Sequence, residues 1–323
     1  MEYSLKSIVI IILYFGRLPQ WFELWLESCK YNPTIDFIIY TDDKTGYEFP
    51  ENVKPRYIGF EEMKSCIQKC FDFTVNIDSP YKLCDFKQAY GYIFEEEMVE
   101  YDFWGHCDLD QVMGDLRSFL TNEVLEAHEK IYRLGHLAVY RNTPRINRLF
   151  QEPGWKDWRH ILSTPYIYAF DETGMHVLSK KHGVRAYDKV ECIDVAGHPG
   201  YIMPRKGVAS YRHQAFYWEN GKVFQCCLIK NEVHLIEHAY IHFQKRKLHY
   251  TSPMTGGFYI TATRFLEKPV TGPPTAGEIC SVNHYPGVLN MAAWRVKNRM
   301  QRIYGRITGK LKKIIYDIWH YAG

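Results

Sequence analysis

The sequence predicts a single α/β domain built on a central, mostly parallel β-sheet. Residues 7–15 (SIVIIILYF) form a continuous run rich in β-branched residues, which is typical of a strand covered on both faces of a parallel sheet. A helical apolar pattern at residues 20–29 and a second short apolar run at residues 35–41 come next. A strand, a helix and a strand in this order predict a βαβ unit.

Composition supports a globular, intracellular protein. The chain has 323 residues, of which 46% are hydrophobic, so it can bury a full core. The longest apolar run, residues 8–15, is far shorter than the roughly twenty residues that span a bilayer, and no signal-peptide cleavage pattern follows it. We therefore expect the protein to stay in the cytoplasm.

Nine cysteines are spread along the chain without any Cys-x-x-Cys pair. An odd number at irregular spacing argues against a disulfide framework and against a zinc knuckle. We interpret these residues as buried thiols in a reducing compartment.

Further elements follow from the same patterns. We predict one long helix over residues 81–98, a third strand at 101–107, a helix starting at 171, and a hairpin turning at Asn220 and Gly221. Residues 234–243 are predicted to form a single last strand. We assign residues 1–270 to the catalytic domain and residues 271–323 to a linker and a basic C-terminal helix.

The most informative motif is Asp108-Leu109-Asp110, directly after the predicted strand at 101–107. In an extended segment the two carboxylates lie on the same side, where they can share one divalent cation with the phosphate oxygens of a nucleotide. Open α/β sheets bind ligands beyond the carboxyl ends of their strands, and this motif lies at such an end. The alternative interpretation is a solvated turn.

Two blocks, KLCDFKQAYG at 82–91 and YDFWGHCDLD at 101–110, resemble bacterial nucleotide-sugar-dependent glycosyltransferases of the A-type fold. More narrowly, they resemble an uncharacterised family associated with surface or capsular polysaccharide. The resemblance covers roughly residues 5–250, and it implies a Rossmann-like catalytic domain. It also implies a UDP-sugar donor bridged by Mn²⁺ or Mg²⁺, with Asp110 a direct metal ligand and Asp108 near the ribose or the metal.

The family pattern places a histidine and basic residues late in the domain, and YIHFQKRK at 240–247 supplies them. By this resemblance His242 is the third metal ligand, and Lys245 and Lys247 hold the phosphates. His234 and His238 have the same strand parity as His242, so the choice among the three stays open. A buried histidine followed by a solvated basic turn is the alternative.

For the nucleoside, the resemblance points to the loops after the first two strands. Tyr14 and Phe15 follow the first strand, and Asp42 and Asp43 follow the second, where a carboxylate can accept the uracil N3–H. Asp85 and Lys87 on the next helix resemble residues that face ribose and diphosphate in related transferases. An exposed charged helix face explains these two residues equally well.

On the acceptor side, inverting transferases of this type use one carboxylate at a helix start to remove the acceptor proton. Asp171 and Glu172 fit that place, with Asp171 preferred, although Asp171 is equally suited to cap a helix. Gly135 and His136 are expected to line the donor-sugar pocket. This assignment favours inversion of the anomeric centre.

The C-terminal segment has its own charge. From Pro286 onward there are eight Lys and Arg residues against one acid, Asp317, and apolar residues recur every three or four positions from Met300 onward. This pattern is typical of a basic amphipathic helix on an anionic membrane surface. The alternative is that this helix packs on the body of the protein or on a second subunit. Nucleic-acid binding is not favoured, because no recognition motif accompanies the positive charge.

The predicted function is thus transfer of a hexose, pyranose or furanose such as a galactose-type sugar, from a UDP-sugar to an oligosaccharide or lipid-linked glycan acceptor. A nucleotidyl- or phosphotransferase would use the same metal but would need a glycine-rich phosphate loop, which residues 16–19 (GRLP) do not supply. A carbohydrate-binding or scaffold protein without activity is the third hypothesis.

Overall fold

A computed structural model describes residues 4–205, 207–244, 246–251, 254 and 256–321, with side chains up to residue 311. The strands are, in chain order, β1 (Ile8–Leu13), β2 (Ile35–Thr41), β3 (Val53–Tyr57), β4 (Phe103–Cys107), β5 (Gln111–Met113), β6 (Lys130–Ile131), β7 (Leu137–Arg141), β8 (Ala186–Tyr187), β9 (Ile193–Asp194), β10 (Gln214–Glu219), β11 (Lys222–Ile229), β12 (Glu232–His238), β13 (Tyr240–His242), β14 (Gly257–Ile260) and β15 (Phe265–Glu267). The α-helices are α1 (Phe22–Lys30), α2 (Phe60–Lys69), α3 (Tyr90–Ile93), α4 (Asn122–Ala127), α5 (Pro144–Asn147), α6 (Trp158–Ser163), α7 (Met175–Lys181), α8 (Ala276–Val282) and α9 (Val288–Tyr321).

The central sheet has seven strands in the order β3-β2-β1-β4-β7-β6-β8. β3, β2, β1 and β4 are parallel, whereas β7 is antiparallel to β4 and β6. Along β1, Val9 and Ile11 enter one hydrophobic core and Ile8, Ile10 and Ile12 enter the other. Both faces of the sheet are therefore covered, and the predicted α/β class with a mostly parallel, Rossmann-like sheet is confirmed.

Two smaller sheets complete the fold. A five-stranded antiparallel sheet has the order β12-β11-β10-β14-β15, and a three-stranded sheet has the order β5-β13-β9. The predicted hairpin joins β10 to β11, and both turn residues, Asn220 and Gly221, have positive φ, as a two-residue turn of this type requires. The three-stranded sheet is the one that positions the candidate site, because β5 begins directly after Asp110.

The prediction of one long helix over residues 81–98 is wrong. The chain forms a 3₁₀ segment at Pro80–Ala89, then the single turn α3, then a second 3₁₀ segment at Glu95–Met98. Side chains three residues apart lie in line in a 3₁₀ helix, and Lys82 and Asp85 form a buried ion pair at that spacing. Both side chains also bond to the backbone of distant segments, a constraint that the apolar α-helical pattern of the sequence does not reveal.

The C-terminal segment leaves the body as α9, which confirms a C-terminal helix. Near its start Met291 is buried, and Met291 and Trp294 pack with Tyr201 and Tyr285. α8, just before it, contributes the buried Ile279 to a cluster with Tyr217 of the five-stranded sheet. Within the described residues, no helix combines the length and the apolar character needed to cross a membrane.

Candidate active site

The two carboxylates of the Asp-x-Asp motif lie between the central sheet and the three-stranded sheet. The backbone N–H of Asp108 donates to the carbonyl of His136 at 3.0 Å, and the carbonyl of Asp110 accepts from the N–H of Phe243 at 2.7 Å. Each residue is thus held by its backbone to a different strand end, which fixes the directions of both side chains.

His242 completes this cluster from β13. It pairs with Gln111 of β5, directly after Asp110, and its Nε2 lies 3.2 Å from Asp110 Oδ1 and 3.9 Å from Asp108 Oδ2. Burial opposes the charged imidazole, but hydrogen bonds to Asp110 and Asp194 raise the pKa of His242 to about 9. One ligand atom from each of Asp108, Asp110 and His242 lies within 4.8 Å of the other two. Two carboxylates and one imidazole are a donor set that suits Mn²⁺, so these residues fit a divalent cation.

The other two histidines of residues 234–243 lie elsewhere, because the predicted single strand breaks in two. β12 ends at His238 in the five-stranded sheet, and β13 starts at Tyr240 in the three-stranded sheet. At the break, the N–H of Gly114 donates to Ala239 at 2.8 Å, and a Cβ on Gly114 would lie only 2.7 Å from the His238 carbonyl oxygen. His234 is exposed, and His238 is buried, which lowers its pKa to about 4.

Lys87 connects the Asp-x-Asp motif to the predicted acceptor side. Its buried Nζ donates to a carboxylate oxygen of Asp108 and, at 2.9 Å, to the carbonyl of Gly135. The same atom lies 3.6 Å from Asp171 Oδ2. Burial disfavours the ammonium ion, but the charges of Asp108 and Asp171 hold the pKa of Lys87 well above its usual value. Lys87 therefore stays charged between two carboxylates.

Asp171 lies on a π-helical turn, Phe170–Gly174, rather than on a regular helix start. The predicted helix begins only afterwards as α7, and Ala169 occupies the position before the turn without any side-chain cap. Burial raises the pKa of Asp171 to about 6, against the opposing charge of Lys87. Asp171 thus changes charge near neutral pH.

Gly135 approaches this carboxylate closely. A Cβ at position 135 would lie 2.2 Å from Asp171 Oδ2, and the N–H of Gly135 donates to Glu172 Oε1 at 3.3 Å. No larger residue fits at 135 without displacing Asp171. Gly135 therefore lies beside Asp171, whereas Glu172 is half-buried and contacts backbone. That Gly135 and His136 line a donor-sugar pocket stays a prediction.

Sequence reasoning missed Asp194, the residue on the far side of His242. Its Oδ1 lies 2.9 Å from His242 Nδ1, and it also accepts from Gln244 Nε2 at 2.7 Å. His136 stacks on the His242 ring with 4.2 Å between centroids. A carboxylate that ends a short apolar segment, residues 192–194 (CID), was the available signal. Only the pairing of β9 with β13 brings it to His242.

Asp85 does not reach the site. It is fully buried, and its carboxylate accepts from Lys82 Nζ at 3.0 Å and from the backbone N–H groups of Tyr168 and Phe170. The prediction that Asp85 faces a ribose does not fit these contacts. Its oxygens instead hold the segment that leads into Asp171.

The residues predicted for the nucleoside lie at the ends of β1 and β2. Burial and the charges of Asp110 and Asp43 raise the pKa of the Tyr14 phenol, which places Tyr14 near the Asp-x-Asp motif. Phe15 belongs to a core and packs on Phe60. Asp42 accepts from the N–H of Gly16 at 2.7 Å, and Asp43 accepts from the N–H groups of Leu18 and Thr45. Both carboxylates shape these loops.

Three basic residues, at positions 245–247, follow β13. Lys247 is exposed, and Lys245 lies outside the described residues. Between them, Arg246 donates to the carbonyls of His198 and Ala262, so its guanidinium braces loops. Lys247 is the described lysine of this segment that faces solvent.

A protein-family model matches most of this chain. The model of a family of unknown function, DUF6625, matches residues 10–269. The chain belongs to this family. No curated protein sequence matches the chain.

Solved structures that resemble this family member include the galactosyltransferase LgtC in complex with donor and acceptor sugar analogues. The similarity covers 58% of this chain and 75% of the LgtC chain, with a TM-score of 0.34 and 9% sequence identity. The α/β assignment therefore depends on the strand order of the central sheet, and not on this similarity.

Proposed function

We propose that this protein is a metal-dependent glycosyltransferase that transfers a hexose, pyranose or furanose such as a galactose-type sugar, from a UDP-sugar to a glycan acceptor. The observation that carries the proposal is the convergence of Asp108, Asp110 and His242 at one strand end, with Lys87 bridging Asp108 to the buried Asp171. A cation-binding group beside a carboxylate of raised pKa suits transfer from a nucleoside diphosphate.

The donor half uses the three residues that fit a cation. Asp108, Asp110 and His242 would hold Mn²⁺ or Mg²⁺, which would neutralise the diphosphate leaving group. Tyr14, whose phenol is influenced by the charge of Asp110, would contact the nucleoside, and the exposed Lys247 would bind the phosphates. Asp42 and Asp43 support the loops at which the base would lie, and either carboxylate would accept the uracil N3–H.

The acceptor half uses Asp171. In an inverting transfer, the acceptor hydroxyl oxygen bonds to the anomeric carbon while the bond from that carbon to the UDP oxygen breaks. The hydroxyl proton passes to the Asp171 carboxylate, and Lys87 stabilises the charged form of that carboxylate beforehand. Glu172, whose Oε1 accepts from Gly135, is the second candidate for this base.

For the acceptor we propose a growing bacterial surface polysaccharide or a lipid-linked glycan at the cytoplasmic face of the membrane. α9 supports this part. Five of its exposed apolar residues share one side of the helix: Val296, Met300, Ile303, Ile307 and Leu311. At about 3.6 residues per turn this side lies opposite Met291 and Trp294, which pack on the body.

An anionic bilayer fits this face better than a second copy of the chain does. Residues 288–311 include six Lys and Arg residues and no acid, so two copies would bring like charges together. Anionic lipid attracts the same charges and accepts the apolar stripe. We therefore propose peripheral contact with the membrane through α9 and no nucleic-acid partner.

Calorimetric titration of UDP into the protein, with Mn²⁺ and then with a chelator, tests the proposal. We expect binding that requires the metal and that the Asp110→Asn variant loses. Asp72→Asn, an exposed carboxylate paired with Arg159, is the control and should bind as the wild type does. Sugar binding that survives chelation and Asp110→Asn would support the carbohydrate-binding alternative. Binding of a nucleoside triphosphate in preference to UDP would support the nucleotidyltransferase alternative.

A further inference from the structure

The imidazole of His242 lies between two carboxylates on opposite sides. Nε2 faces Asp110 at 3.2 Å, and Nδ1 faces Asp194 at 2.9 Å. Asp194 lies opposite His242 in the parallel pairing of β9 with β13. This contact is therefore set by the register of the sheet, and not by two flexible loops.

Both carboxylate oxygens of Asp194 already accept hydrogen bonds. Besides His242, Gln244 donates to Oδ1 at 2.7 Å, and the Arg205 guanidinium donates to Oδ2 at 3.2 Å. A carboxylate with these partners is an anchored acceptor rather than an open metal ligand. His136, Asp194 and His242 also form a compact group. In this group, His136 and Asp194 orient the His242 ring.

His136 restrains the same ring from its face. The two imidazoles stack with 22° between their planes, and His136 is itself fixed by a hydrogen bond of 2.9 Å between its Nδ1 and the Tyr240 hydroxyl. Rotation of the His242 ring is therefore opposed from its edge and from its face.

We infer that Asp194 is a positioning residue that, when a cation fills the site, holds His242 as the Nδ1–H tautomer, with the Nε2 lone pair aimed at the space between Asp108 and Asp110. The inference rests on the proposed cation site and extends it to a residue outside the ligand set. A hydrogen bond that the second ring nitrogen donates to a carboxylate fixes the tautomer of a metal-binding histidine and increases its basicity. Loss of such a partner typically lowers metal affinity about 10- to 100-fold.

The first test uses wild-type protein labelled with ¹⁵N-histidine and saturated with the diamagnetic ion Mg²⁺. We expect the His242 signals, assigned with His242→Ala, to show a proton on Nδ1 and none on Nε2. A proton on Nε2 would overturn the inference, whatever the variants do.

The second test measures Mn²⁺ affinity from the electron paramagnetic resonance signal of the free ion. Asp194→Leu should weaken binding about 10- to 100-fold, whereas Asp194→Asn, whose amide oxygen still accepts from Nδ1, should recover most of that loss. Arg205→Leu removes a different partner of the same carboxylate and should not weaken binding. Thermal unfolding of each variant shows whether it is folded.

Failure of this inference differs from failure of the cation site. If wild-type protein binds no Mn²⁺, or binds it equally well after Asp110→Asn, the site itself is wrong, and the inference falls with it. If binding depends on Asp110 but a folded Asp194→Leu variant binds within twofold of the wild type, the site stands and Asp194 does not position His242.

Discussion

The candidate active site and α9 both carry charge, but they hold it in opposite ways. Lys87, Asp171 and His242 are buried, and each lies within 4 Å of an opposite charge. Arg299 and Arg306 of α9 are exposed to solvent. Buried charges are fixed in place, and losing one partner is costly, whereas exposed charges act through a field that salt screens. The first region suits chemistry at one point, and the second suits an extended anionic surface.

The largest expected effect is loss of the proposed base. Asp171→Asn keeps the size of the side chain but cannot take the acceptor proton, so transfer should fall about 10²- to 10⁴-fold. Binding of UDP with Mn²⁺ should persist, because Asp171 lies outside the ligand set. Turnover assays with a UDP-sugar, together with calorimetry, check both parts.

Glu172→Gln is the matched control for this variant. It should retain most activity if Asp171 is the base. A fully active Asp171→Asn variant with an inactive Glu172→Gln variant would transfer the role to Glu172.

A comparable effect on stability is expected at the buried pair under the site. Asp85→Ala leaves the Lys82 ammonium buried and without its carboxylate, at a cost of about 3–5 kcal/mol in the free energy of unfolding. Chemical denaturation measures this value. Replacing both partners, as Lys82→Met with Asp85→Leu, removes the unpaired charge and should recover part of the loss. If the Asp85→Ala variant has the same free energy of unfolding as the wild type, water already reaches Lys82.

A smaller effect is expected on the pH dependence of transfer. A base must be ionised, and the pKa of Asp171 is about 6, so kcat should fall as the pH drops through about 6. Lys87 stabilises the charged carboxylate, so Lys87→Met should raise the pKa of Asp171 and move this decline to higher pH. Profiles of kcat at saturating donor and metal test the direction.

Lys64→Met is the control for this prediction, since Lys64 pairs with Glu61 on the remote helix α2. Its profile should match that of the wild type. If kcat of the Lys87→Met variant falls at the same pH as kcat of the wild type, Asp171 is not the base.

The smallest effect is expected on α9. The double variant Arg299→Gln with Arg306→Gln should lower binding to anionic vesicles by about 1 kcal/mol for each residue, and added salt should shrink the difference. Co-sedimentation with phosphatidylglycerol vesicles measures it. The same change of charge on the body, Lys64→Gln with Lys69→Gln, should leave binding unchanged.

The apolar side of α9 has its own paired variants. Ile303→Asp enters the exposed stripe, whereas Gln301→Asp makes the same change of charge away from it. Only the first should reduce vesicle binding beyond the effect of charge. Equal losses would mean that α9 meets the membrane by charge alone, and no loss in either would favour packing against another surface.

The sequence by itself determined the elements that local pattern controls. The β-branched run of β1, the βαβ unit and the Asn220-Gly221 hairpin are set by residue type and period, and these features were predicted correctly. The Asp-x-Asp motif was also visible, because its two carboxylates follow a buried strand within three residues. Neighbouring residues suffice to specify features of this kind.

The tertiary structure alone decided which distant residues meet. Whether His234, His238 or His242 faces Asp110 depends on the break at Ala239, where the chain passes from one sheet to another. Asp194 becomes relevant only because β9 pairs with β13. Asp85 lies inward, where Lys82 and the backbone N–H groups of Tyr168 and Phe170 donate to its carboxylate. Strand pairing and burial act between residues far apart in the chain, so no local pattern carries them.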